Sequence, residues 1–245
     1  MQVDLNCDLG EGLATDEQII PLISSANIAC GFHAGNVETM KRTIELCMKH
    51  GVSVGAHPSW PDRENFGRTE MQRSSNEIYA IVTEQLNSIS EITRKLGGKL
   101  HHVKPHGALY NQSAKDKSIA AAIAKAVYDF DAGLFLFGLS GSISLTEANA
   151  LHLKTIHEVF ADRSYQDDGS LTPRSQPNAF VENEQKAVQQ ILQMINEQTV
   201  TSTSGNIVPV KADTICIHGD GKNAEAFATT ISSALQQAHI DIKAN

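Results

Sequence analysis

No stretch of the chain approaches the ~18 consecutive apolar residues needed to span a bilayer. Nor do the first residues, which reach Val3-Asp-Leu-Asn-Cys-Asp8 at once, contain the basic and apolar regions of a secretory leader. These absences exclude a membrane span and predict a cytoplasmic protein. Cysteine is scarce: Cys7, Cys30, Cys47 and Cys216 lie far apart, form no CxxC pair, and mostly fall in apolar, strand-like runs. Buried, reduced thiols are expected. Positive charge is also in deficit, with 28 acidic against 20 basic residues, a formal charge of -8 and no basic cluster. That balance opposes a nucleic-acid backbone or an anionic membrane as partner. The chain has no GxxxxGK[ST] phosphate loop and no GxSxG nucleophile elbow, so it is not expected to bind ATP by itself in a standard way. Gly138-Leu-Ser140-Gly-Ser142 lacks the spacing of either motif and reads as a loop closing onto a helix N-terminus, where backbone N–H groups can face an anion.

What is present is the composition of a globular protein, 41% hydrophobic and 20% charged over 245 residues, a length that suits one α/β barrel. A single domain over residues 1–245 is therefore expected. Short β-branched runs alternate with stretches of helical period, the pattern of a parallel sheet with crossover helices. Strands are predicted at Val3–Leu5, Ala26–Cys30, Val52–Gly55, Leu100–Lys104, Leu134–Gly138, Thr155–Phe160 and Thr214–His218. Val37, Met40, Ile44, Cys47 and Met48 recur at helical steps after Asn36, a suitable N-cap. Ser74 and Glu77 form a capping-box pattern ahead of a long apolar stripe that Gly97-Gly98 ends. Further helices are expected over 118–129, 182–197 and 224–238. The Thr-, Ser- and Gly-rich segment 199–206 reads as a loop.

Polar residues collect just after the strand candidates, which in a parallel barrel all open on one face. Asp4, Asn6 and Asp8 alternate with apolar residues and share one side of a strand, which in a barrel can be the lumen. Carboxylates there need a metal, a cation or hydrogen-bond donors; Asp8 and Glu11 could equally cap the next segment. His33, His57, His106 and His218 each stand at a strand end beside small residues, and imidazole serves both as metal ligand and as proton carrier near neutral pH. Lys104 lies two residues before His106 and could steady a developing oxyanion. Arg63 and Arg68 flank Asn65-Phe-Gly67, and Arg163 follows Glu158-Val-Phe-Ala-Asp162; these arginines suit either an anionic substrate or loop salt bridges.

Four segments together resemble the LamB/YcsF family: Asp4-Leu-Asn-Cys-Asp-Leu-Gly-Glu-Gly12, Ser24-Ser-Ala-Asn-Ile-Ala-Cys-Gly-Phe-His-Ala-Gly35, Lys104-Pro-His-Gly-Ala-Leu-Tyr-Asn111 and Asp213-Thr-Ile-Cys-Ile-His-Gly-Asp220. The likeness continues through Gly55-Ala-His-Pro58, Phe66-Gly-Arg68 and Glu158-Val-Phe-Ala-Asp-Arg163, so it spans nearly the whole chain. It implies an irregular seven-stranded (β/α) barrel like that of polysaccharide deacetylases. It also implies ATP-dependent 5-oxoprolinase activity, with this chain as the A component of three. Partner subunits B and C would bind ATP, the cosubstrate, and phosphorylate the lactam oxygen of 5-oxoproline. This chain would hydrolyse the activated ring to glutamate. Residue by residue, the resemblance points to Asp8, Glu11, Lys104 and His106 as catalytic. Asn6, Asn27, Arg68, Arg163, His218 and Asp220 are the expected substrate contacts, and Asp8, His33 and His57 the ligands of a divalent metal such as Zn²⁺. The chain departs from the family pattern at Trp60, at Asn178 and at Gly221-Lys-Asn223. Two other readings fit the same residues: a free-standing metal-dependent amide hydrolase acting on an acetylated sugar, and a scaffold component without chemistry of its own.

Overall fold

The computed structural model describes residues 1–218 and 224–245. Its frame is a closed barrel of seven parallel strands: β1 (Gln2–Leu9), β2 (Ser25–Ala29), β3 (Ser53–His57), β4 (His102–Val103), β5 (Phe135–Leu139), β6 (Lys154–Phe160) and β9 (Thr214–His218). They pair in that order, and β9 returns to β1 with Asp4 opposite Thr214 and Asp8 opposite His218. Closure leaves the barrel without a free edge. A short strand, β10 (Asp241–Ile242), pairs with the start of β1.

The expected strands form, though with shifted ends. β1 continues through Leu9 because its polar residues face inward, so the alternation is that of a two-sided strand. β4 is shorter than expected, leaving Lys104 and His106 beyond its end. Segment 199–206 is not a plain loop: β7 (Thr199–Thr201) and β8 (Ile207–Pro209) pair antiparallel around it, with Val200 and Val208 as buried partners.

Helices α1 (Asp16–Ile19), α2 (Val37–His50), α3 (Ser75–Lys95), α4 (Gly107–Ser113), α5 (Lys117–Asp131), α6 (Ile143–Ala150), α7 (Glu184–Glu197) and α8 (Ala224–Gln237) surround the strands. Met40, Ile44 and Cys47 form the buried stripe of α2, which packs on β2 and β3, while Val37 stays exposed. Each fully buried Ile or Met of this kind contributes ~1.5–3 kcal/mol. Asn36 accepts from the Thr39 amide to start α2, and Ser74 with Glu77 completes the capping box of α3. The loop after Gly138 does lead into a helix, α6, whose N-cap is Ser142. All four cysteines are free and buried. No described helix is long and apolar enough to cross a membrane.

Candidate active site

Inside the barrel, side chains that usually avoid interiors form one hydrogen-bonded column. At its floor Asp4 accepts from Ser24 (2.6 Å), Ser25 (2.7 Å) and Thr214 (2.6 Å). Burial nonetheless raises the Asp4 pKa, against the pull of these hydroxyls. One layer higher, the Asn6 amide donates to Thr214 Oγ1 at 2.8 Å and Glu158 Oε1 at 3.0 Å. The Asn27 amide donates to Asn6 Oδ1 at 2.7 Å and Asp8 Oδ1 at 2.8 Å. Asn27 Oδ1 in turn accepts from His102 Nε2 at 2.8 Å. That ring reaches Asn27 only because β3 carries Gly55 between them, where a Cβ would stand 2.1 Å from His102 Nε2.

Lys104 crosses the axis of the column. Its ammonium lies 2.7 Å from Glu158 Oε1, 2.9 Å from Asp8 Oδ1, 3.1 Å from Cys216 Sγ and 3.2 Å from Asn6 Oδ1. Burial alone would strip its proton, but the charges of Asp8 and Glu158, with Cys216, hold the pKa well above that of free lysine. Burial likewise pushes the Asp8 carboxyl up, and His57 and Lys104 outweigh it, keeping the group well below the usual carboxylate range. Asp8 is thus an ionised carboxylate at the mouth of the barrel, with Oδ2 3.3 Å from His57 Nε2.

Above Asp8 stand three imidazoles. His33 and His106 stack with ring centroids 3.8 Å apart, and His57 meets both edge-on. His57 Nε2 lies 2.9 Å from His106 Nδ1, and Glu11 Oε1 lies 3.2 Å from His33 Nε2 and 3.6 Å from His106 Nδ1. Burial, reinforced by the charge of His57, pulls the His33 pKa down to about 3, and the same causes lower His106. The donor atoms of Glu11, His33, His57 and His106 all fall within 4.8 Å of one another, as do those of Asp8, Cys216 and His218. Of the metal set expected from sequence, both histidines converge with Glu11 and His106, while Asp8 lies 3.3 Å from His57 Nε2 and is also held by Lys104.

These groups open on a cleft of about 440 Å³ lined by Asp8, His57, Lys104, His106, Arg174 and His218, among others. Arg68 borders it with its guanidinium over the Phe66 ring, 5.0 Å from the centroid. His218 donates Nδ1–H to Asp162 at 2.7 Å and accepts from Arg174 at Nε2, 3.1 Å away.

Two expected substrate contacts sit elsewhere. Asn6 and Asn27 are fully buried beneath Asp8 and do not line the cleft: the Asn27 amide orients that carboxylate, and the Asn6 amide is spent on Thr214 and Glu158. Arg163 borders the cleft, but its guanidinium donates to the carbonyls of Ala179 and Thr172 and so clamps the arm 163–181. Asp220 and the Gly221-Lys-Asn223 departure lie outside the described residues. Trp60 is accommodated: it is buried and donates its indole N–H to Gln112 at 2.7 Å. Glu158, His102, Asp162 and Arg174 carry site geometry that the sequence alone does not assign. For Glu158 a signal exists, a lone carboxylate in the apolar run Ile156-His-Glu-Val-Phe160.

Residues 3–245 match the LamB/YcsF family. The chain belongs to that family. A curated relative from Tolumonas auensis, named as the A subunit of 5-oxoprolinase, is 53% identical over 99% of both chains. The crystal structure of a lactam utilization protein from Thermus thermophilus superposes with a TM-score of 0.94 at 42% identity, covering 100% of each chain. A family 4 carbohydrate esterase from Streptomyces lividans, in complex with acetate, gives a TM-score of 0.55 at 11% identity over 98% of this chain and 91% of its own. That likeness is one of fold, and it supports the deacetylase-like barrel.

Proposed function

We propose that this LamB/YcsF chain hydrolyses the activated lactam of 5-oxo-L-proline to L-glutamate. It does so in the cytoplasm as the A subunit of an ATP-dependent complex whose subunits B and C phosphorylate the lactam oxygen. The observation that carries the reading is the Asp8 carboxylate, kept ionised by Lys104 at 2.9 Å and oriented by Asn27 at 2.8 Å, at the floor of a cleft of small-molecule size. The names of the Tolumonas and Thermus relatives supply the lactam.

An unstrained amide resists water, so the carbonyl needs activation and the water needs a base. Phosphorylation of the oxygen meets the first need and Asp8 the second. Water adds to the ring carbon as its proton passes to Asp8. That proton goes to the ring nitrogen, the hydroxyl proton of the adduct follows it as the carbonyl forms and the C–N bond breaks, and a second water cleaves the resulting acyl phosphate to glutamate and phosphate. Arg68 and Arg174 at the rim suit the substrate carboxylate and the phosphoryl group.

The test is Asp8→Asn assembled with wild-type subunits B and C. ATP consumption dependent on 5-oxoproline should persist while glutamate release falls by ~10²–10⁴. Undiminished glutamate release by a folded, assembled variant would return the chain to a scaffold role. Glutamate formation by the purified chain without partners would instead favour a free-standing amide hydrolase.

A further inference from the structure

We infer that His33, His57, His106 and Glu11 form a binding site for one divalent transition-metal ion, directly above the Asp8–Lys104 pair. The outward nitrogens of the three rings are all donors. His57 Nδ1 lies 2.7 Å from the Lys104 carbonyl and His106 Nε2 lies 3.0 Å from the Phe66 carbonyl, so both nitrogens must carry hydrogen. His33 Nδ1 lies 2.9 Å from Ser59 Oγ, which gives its own hydrogen to the Trp60 carbonyl, so this nitrogen is a donor too. Once the proton that charges His57 is displaced, the remaining nitrogens, His33 Nε2, His57 Nε2 and His106 Nδ1, present lone pairs, and all three converge with Glu11 Oε1. Fixing the outer N–H on a carbonyl or hydroxyl is how ligating histidines are oriented.

Lone pairs cannot face each other at the 2.9 Å between His57 and His106 without a positive centre between them. A proton satisfies two of the four inward atoms; a metal ion satisfies all four. Bonds of ~2.1 Å at tetrahedral angles place donor atoms about 3.4 Å apart; three of the six spacings here are 2.9, 3.2 and 3.6 Å, and all six fall within 4.8 Å. The backbone is bent to the same end. Phe66 adopts a left-handed φ of 56°, rare for an aromatic residue, and its carbonyl is the one that holds His106. At Gly67, φ is 67° and a Cβ would press on His33 and His106 at 3.0 Å. Three imidazoles and one carboxylate suit zinc or its transition-metal neighbours and not the all-oxygen preference of magnesium or calcium. The other cluster is a poor alternative, since Cys216 faces the Lys104 ammonium and His218 is engaged by Asp162 and Arg174. When bound, the ion would supply a Lewis acid beside Asp8.

The experiment is titration of the chelator-stripped full chain with Co²⁺ alone, followed by visible absorption, with Zn²⁺ as competitor. One equivalent should bind, give the d–d bands of a nitrogen-rich site and be displaced by one Zn²⁺. Ser59→Ala, which removes the acceptor of His33 Nδ1 together with the Ser59 bond to the Trp60 carbonyl, should weaken binding ~10–100-fold, and His106→Ala or Glu11→Gln should weaken it further. Asp8→Asn should keep the one-to-one stoichiometry, with the bands shifted only slightly, since Asp8 Oδ2 lies 3.3 Å from His57 Nε2. Unsaturable binding, or a spectrum unchanged in His106→Ala, would overturn the site, and so would Asp8→Asn abolishing it. Ser59→Ala keeps the question answerable if a histidine variant does not fold. None of these readouts involves turnover, so the ion and the hydrolytic reading stand or fall separately.

Discussion

Lys104 stands between Asp8 and Glu158 with 2% of its surface exposed. Substituting it leaves two carboxylates facing each other in the barrel without a cation. Breaking a buried pair in this way costs ~3–5 kcal/mol, mostly as the penalty of the stranded charge. We expect Lys104→Met to unfold at markedly lower denaturant than wild type, and Lys104→Met with Glu158→Gln to recover part of the loss; equal midpoints for wild type and Lys104→Met would contradict the ion pair. Much at this scale is legible in the sequence. The period of two sets Asp4, Asn6 and Asp8 on one face, and all three are buried within the barrel. The same period leads from Lys104 back to His102. What sequence does not give is the partner, since His102 meets Asn27 only across Gly55, and no local pattern reports a contact between residues 75 positions apart.

Strands with apolar, β-branched runs are the most legible elements, because burial on both faces leaves little room for polar interruption. β4 reads too long for the same reason: Lys104 and His106 alternate like strand residues, yet the chain leaves the sheet at Val103 and turns into α4. The β7–β8 hairpin is hidden by the Ser- and Gly-rich turn inside it. The arm 163–181 shows no period at all, since isolated bridges, Arg163 with Phe180 and Tyr165 with Leu171, and side chain to carbonyl bonds hold it in place of a continuous ladder. Arg163 is its clamp, and burial, with the nearby charge of Arg174, lowers the guanidinium pKa to about 10. Arg163→Ala removes the bonds to Thr172 and Ala179. We expect limited proteolysis to cut this arm several-fold faster in the variant, with the barrel left intact, at a cost of ~1.5–3 kcal/mol for each charged hydrogen bond lost. An unchanged cleavage rate would show that the arm is held by other contacts.

For the whole molecule, a polar interior makes stability depend on pH. His102 is buried and neutral, and burial, followed by the charge of His101, holds its pKa well below the ordinary value. In the unfolded chain it titrates near ~6.5. Above that pH neither state is protonated and the group has no effect. As pH falls below it, the unfolded state takes a proton that the folded state refuses. Stability then drops by up to ~1.4 kcal/mol per pH unit until the depressed folded pKa is reached. Melting temperatures measured between about pH 7.5 and pH 5, the range that brackets the unfolded value, should therefore decline, and His102→Gln should flatten the decline; parallel curves would remove His102 as a cause.

The filled column also decides traffic. With Lys104, Asn6 and Asp4 packed along its axis, the barrel is no tunnel, and among the described residues the cleft above Asp8 has its door where the strands end. Reactant and product share that door, so retained product delays the next reactant. On the proposed function, a partner that delivers the phosphorylated lactam would sit on the rim where the strands end. The opposite end, where β10 meets β1 and Asn245 accepts from His101, stays out of the way. An affinity tag or a fusion partner joined at residue 1 or 245 can occupy that end without crowding the door.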